Sequence, residues 1–174
     1  DILEEKGLEV GAEEFARLMA EQRERARSAR KNAGMDAWKG SLNILQQMLP
    51  GKFVGYDTCT TETRVEAIIH DDQLVEAVEE GDEAIVLLSA TPFYGESGGQ
   101  VGDTGFIEND NATFEVQNTV KGVTGVVIQS GEVRQGTLKT GDVVTARVDE
   151  GRRHAIMRNH TAAHLLQAAL RQVL

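Results

Sequence analysis

The feature that most constrains this chain is its hydrophobic period, which changes twice. In residues 1–50, Phe15, Leu18, Gln22, Ala26, Ala29 and Ala33 recur at three- and four-residue steps and form one narrow helical stripe. In residues 51–148 the period falls to two. Val65, Ala67 and Ile69 alternate with polar residues, and Phe114, Val116 and Asn118 do so more weakly. In residues 149–174 the helical spacing returns with Leu166, Ala169, Leu170 and Val173. The order helix, strand, helix predicts an α+β chain in three parts: helices over 1–50, a small antiparallel barrel or sandwich over 51–148, and a helix over 149–174.

Turn and cap chemistry divides these parts further. Gly7 followed by Leu8 predicts a helix end of the Schellman type. A second helix is expected over 12–32, with Glu13 and Glu14 in its first turn and Arg30 and Lys31 in its last, matching the helix dipole. Asp36 would cap a third helix running to Met48, which Pro50-Gly51 would end. In the middle, Ala84–Leu88, Gly125–Gln129 and Val143–Val148 are short strand candidates. They are separated by turn signals at Asp71-Asp72, Gly81-Asp82, Gly102-Asp103, Asn109-Asp110-Asn111, Gly131-Glu132 and Gly141-Asp142. Asp149 is the expected N-cap of the last helix, with Glu150 behind it.

Composition adds three constraints. Hydrophobic residues make up 40% and aromatics 5%, so the core must be mostly Val, Ile, Leu and Ala. The longest apolar run, Ala84 to Leu88, suits one buried strand and falls far short of the ~20 residues that span a bilayer, so no membrane partner is expected. The single cysteine, Cys59, excludes an internal disulfide and suits a cytoplasmic setting. The net charge of −10 is uneven: residues 51–148 carry 17 acidic and 6 basic side chains, residues 149–174 two acidic and four basic. Any contact with RNA is therefore expected at the ends. The start at Asp1 and the unpunctuated final helix suggest a segment of a longer protein.

Four features bear on chemistry. His160 and His164 stand four apart on one helix face, where two imidazoles can share a zinc ion or simply decorate the surface. Thr161 occupies the place where a zinc protease needs glutamate, which disfavours that chemistry. Residues 95–105 hold five glycines, and Gln100 adds an amide that both donates and accepts. Such a loop either cradles a ligand such as a ribose, an ester carbonyl or an adenine, or makes a wide connection between strands. Arg23, Arg27 and Arg30, with Arg17, Arg25 and Lys31 nearby, form a basic helix face suited to phosphate, but Glu21 and Glu24 interleave and allow a solvated, ion-paired helix instead. Cys59 has no histidine in register and is expected to be a small buried apolar residue.

Taken in order, four stretches resemble alanyl-tRNA synthetases. They are Phe15 to Arg27, Phe53-Val54-Gly55-Tyr56, Thr91 to Gly105, and Arg158 to Leu166. The resemblance implies the end of a tRNA-recognition region over 1–50, a barrel of translation-factor type over 51–148, and the first helix of an editing domain over 149–174. It implies zinc on His160 and His164, with a later Cys-x-x-x-His supplying the other ligands. It places Gln100 in the editing pocket and Gly98, Gly99 and Arg158 at the substrate. The expected partner is tRNA(Ala), and the expected reaction is hydrolysis of seryl- or glycyl-tRNA(Ala). ATP, Mg and alanine would bind the parent enzyme outside this segment, which alone is expected to be inactive. A free-standing editing hydrolase shares the barrel and both motifs, but the arginine-rich residues 1–50 argue against it. A non-catalytic binding module with a similar barrel is the other alternative.

Overall fold

The computed structural model describes Glu14 and residues 17–22, 42–45, 47–96, 100–122 and 124–173. The chain divides into two units, 1–40 and 41–174. In the first, residues 17–22 are helical, and Arg17 pairs with Glu14 at 2.6 Å and Glu21 at 2.5 Å. That fits the ion-paired reading of this face at Arg17. The expected helix end at Gly7, and Arg23, Arg25, Arg27, Arg30, Lys31 and Asp36, lie outside the described residues.

In the second unit, α1 (Leu42–Leu45) stops earlier than the sequence suggested. The amides of Gln47 and Met48 donate to Ile44 and Leu45 three residues back, which tightens the last turn before Pro50. Ten strands follow: β1 (Lys52–Phe53), β2 (Thr60–His70), β3 (Gln73–Val75), β4 (Ala77–Glu79), β5 (Glu83–Leu88), β6 (Ala90–Thr91), β7 (Gly105–Glu108), β8 (Ala112–Lys121), β9 (Val127–Lys139) and β10 (Val143–Val148). Helix α2 (Glu150–Val173) completes the described residues.

Among the described residues, β2, β5, β9, β8, β7 and β10 pair antiparallel in that order, and β10 closes back onto β2. Closure leaves these six strands without a free edge. β3 extends β2, and β4 pairs with the far end of β9. Outside the ring, β1 and β6 make a short parallel ladder. Val65, Ile68, Val86, Phe114, Val133 and Leu138 belong to the buried interior. Burying each contributes about 1.5–3 kcal/mol.

The strands are longer and more irregular than the two-residue pattern implied. In β2 a register shift between Val65 and Ala67 turns Ile68 inward, so Ala67 and Ile69 are buried but lie outside the interior cluster. In β8 a shift between Val116 and Asn118 leaves Asn118 half-buried and buries Thr119 instead. The expected inward place of Asn118 is therefore corrected.

Two of the expected turns are also corrected. Gly131-Glu132 lies inside β9, where a Cβ on Gly131 would come within 1.8 Å of the Glu115 carbonyl oxygen. Glycine is there for close strand approach, not to turn the chain. Gly102-Asp103 is likewise not a turn. Asp103 is buried, and a Cβ on Gly102 would meet the Thr119 carbonyl oxygen at 2.0 Å.

The Asp71-Asp72 turn forms as expected, with φ of 47° and 60°. Gly81 and Gly141 turn with positive φ, and Asn109 Oδ1 accepts the amides of Asn111 and Ala112. Cys59 is half-buried against the core rather than fully buried.

Candidate functional site

The site lies where the segment between β6 and β7 meets α2. This segment leaves β6 at Thr91, whose hydroxyl accepts the Phe93 amide at 3.2 Å and the Gln129 Nε2 proton at 3.0 Å. It returns through Asp103, whose carboxylate accepts the Tyr94 amide at 2.7 Å and whose carbonyl accepts the Thr119 hydroxyl at 2.8 Å. The β8 bulge is thus functional in the fold: it aims Thr119 at this connection.

Helix α2 is attached to the same segment. Asp149 donates its amide to the Thr104 carbonyl at 2.8 Å, and its Oδ1 accepts the Arg152 amide at 3.0 Å. That is the expected N-cap. One turn on, Arg153 is buried. Its Nε donates to both carboxylate oxygens of Asp103, at 3.0 and 2.9 Å, and its Nη2 pairs with the same carboxylate. Nη1 donates to the Gly55 carbonyl at 2.9 Å and Nη2 to the Pro92 carbonyl at 2.7 Å. One guanidinium therefore joins the helix, the glycine-rich segment and the chain after β1.

Three helical steps carry this face outward through Ile156 to His160 and His164. His160 Nδ1 lies 2.9 Å from Gln100 Oε1, and the Nε2 atoms of the two histidines are 3.0 Å apart. Both rings are exposed. The structure therefore brings Gln100, His160 and His164 together. Arg158 lies two residues from His160, about 160° round the helix, in a shallow groove with His154, Thr161 and Leu165. It is not brought to the His pair. Gly98 and Gly99 lie outside the described residues.

Two imidazole nitrogens this close can face a single ion, with bonds of about 2.0–2.1 Å each for zinc. The donor chemistry fits half of a zinc site. Among the described residues no group of three or more His, Cys, Asp or Glu side chains is arranged to complete it.

The sequence profile of the tRNA synthetases class II (A) matches residues 1–152. The chain belongs to this family. It is 44% identical over its whole length to the alanine--tRNA ligase of Clostridioides difficile, 42% to that of Dehalococcoides mccartyi and 40% to that of a Thermoanaerobacter species. It spans about a fifth of the length of each of these relatives (20%).

In this synthetase segment, sequence reasoning missed Arg153 and Asp103. They lie 50 residues apart, so no periodicity links them. The one local hint was Asp103 beside Gly102 in a segment without alternation, and its dipeptide pointed to a turn instead. No helix of the described residues is long and apolar enough to cross a membrane.

Proposed function

We propose that this chain is the part of an alanine--tRNA ligase that links tRNA recognition, over 1–50, to a zinc-dependent editing site begun by residues 149–174. The observation that carries the reading is the meeting of Gln100, His160 and His164 in a chain so similar to alanine--tRNA ligases. The parent enzyme would join alanine to tRNA(Ala) with ATP and Mg, and would hydrolyse seryl- or glycyl-tRNA(Ala) in the cytoplasm.

An aminoacyl ester is already activated. Its hydrolysis needs a positioned water and stabilisation of the developing oxyanion more than a strong nucleophile. His160 and His164 would hold zinc together with ligands from outside this chain. Bound zinc supplies Lewis acidity and a lowered pKa for water. The chain's own residues do the rest. The two imidazoles present their Nε2 atoms on one face, Gln100 holds the His160 ring, and Arg153 holds the helix against the glycine-rich segment that borders the site. Gly98, Gly99 and Arg158 remain the candidates for substrate contact, the last from the opposite side of the helix.

The test is deacylation of seryl-tRNA(Ala) by the complete enzyme and by His160→Ala/His164→Ala, with alanylation measured in parallel as the folding control. Loss of deacylation together with bound zinc is expected. Wild-type deacylation by the double variant would overturn the reading.

A further inference from the structure

We propose that Gln100 is a positioning residue that acts through His160, holding its imidazole as the Nδ1–H tautomer and so turning the Nε2 lone pair toward the ligand side. The use of that lone pair for zinc rests on the function proposed above; the tautomer does not.

The argument starts from what each group can do. An amide oxygen only accepts, and a neutral imidazole has one donor and one acceptor nitrogen. With Gln100 Oε1 facing His160 Nδ1 at 2.9 Å, a neutral His160 in this arrangement carries its proton on Nδ1. His160 Nε2 is then an acceptor, and His164 Nε2, 3.0 Å away, is the donor to it. The three side chains form one hydrogen-bond chain running in a single direction, from His164 through His160 to Gln100. The opposite tautomer of His160 would need the Gln100 amide turned over, so that its Nε2 donates to Nδ1.

The placement of Gln100 follows from the fold. Asp103, three residues beyond it, is fixed by Arg153, which lies seven residues before His160 on α2. Seven residues are close to two helical turns, so Arg153 and His160 share a face about 10.5 Å apart. The buried pair thus sets the register between segment and helix, and Gln100 meets His160 two turns further out. A carbonyl oxygen on the distal nitrogen of an imidazole is how metal-binding histidines are commonly oriented, and loss of such a partner costs about 10–100-fold in metal affinity.

Nitrogen-15 imidazole spectra of this chain, metal-free and at a pH of about 8 where an ordinary histidine is neutral, read the tautomers directly. His160 is expected as Nδ1–H in the wild type. Gln100→Ala should shift it toward Nε2–H, and Gln100→Glu, which keeps an acceptor oxygen, should restore Nδ1–H. His70, whose Nδ1 lies 2.8 Å from the Glu83 carbonyl, should stay Nδ1–H in all three and reports that the barrel is intact. In the complete enzyme, Gln100→Ala should weaken zinc binding by about 10–100-fold, and Gln100→Glu should regain most of it. An Nε2–H tautomer of His160 in the wild type, or no change in Gln100→Ala while His70 is unmoved, would overturn the proposal. Equal zinc affinity in wild type and Gln100→Ala would also overturn the role assigned to Gln100. A complete wild-type enzyme that holds no zinc, with the tautomer shift intact, takes down the zinc reading and leaves the positioning role standing.

Discussion

The two ends of α2 are built from one continuous helix and are held in opposite ways. At its start, Asp149 caps the helix and Arg153 and Ile156 are buried. Toward its end, Leu165, Leu166 and Val173 are all exposed, at 67%, 62% and 82%. The apolar content is higher at the exposed end, while the attachment is stronger at the polar end. What fixes this helix to the barrel is a satisfied buried cation, and the histidine pair sits at the border between the two regimes.

The largest expected effect tests the clamped end. Arg153→Ala leaves the Asp103 carboxylate buried without its partner and should destabilise the chain by about 3–5 kcal/mol. Urea unfolding measures it. Replacing both partners by apolar residues, Arg153→Met with Asp103→Leu, should recover much of that loss. If Arg153→Ala unfolds at the wild-type midpoint, the clamp is not what holds the helix.

A second, smaller effect comes from the barrel on which the clamp depends. Gly131→Ala would place a methyl group 1.8 Å from the Glu115 carbonyl oxygen, forcing β8 and β9 apart. A loss of about 1–3 kcal/mol is expected in thermal or urea unfolding. Gly81→Ala, where a Cβ meets nothing within 4 Å, separates crowding from the cost of positive φ alone.

A weaker effect should appear as pH dependence at the β2–β3 turn. The Glu83 carbonyl raises the His70 pKa above its ordinary 6.5, burial opposes it, and Asp71 and Asp82 add smaller raising effects. A raised pKa in the folded state means stability that is full below 6.5 and lost as pH rises through the folded value. The difference in stability between wild type and His70→Gln should therefore shrink as pH rises from 6 to 8, a range set by the ordinary histidine pKa of about 6.5. A difference that grows over that range reverses the sign and rejects the assignment.

The smallest effect belongs to the exposed end of α2. Leu166→Ala should change the stability of this chain by no more than about 0.5 kcal/mol. A change comparable with Arg153→Ala would mean that the two ends are held alike, and the comparison would fail.

Much of this was legible in the sequence because it is local. The Asp71-Asp72 turn, the Asn109 turn, the Asp149 cap and the four-residue spacing of His160 and His164 each depend on neighbours within a few positions. The barrel class followed from the period of two, since side chains on a strand alternate whatever closes the ring. The errors came where a bulge or a close approach overrode the local pattern. Asn118 gave way to Thr119 after a bulge, and Gly131 and Gly102 had the composition of turns but serve close packing.

Sequence alone determined that helices flank a barrel and that two imidazoles share a face. Only tertiary structure decided that Gln100 reaches one of them across 60 residues of chain, and that Arg153 closes on Asp103 across 50. The physical reason is that a long-range polar pair leaves no periodic mark. It is selected by the cost of leaving a buried charge unmet, and that cost exists only once the chain has folded around it.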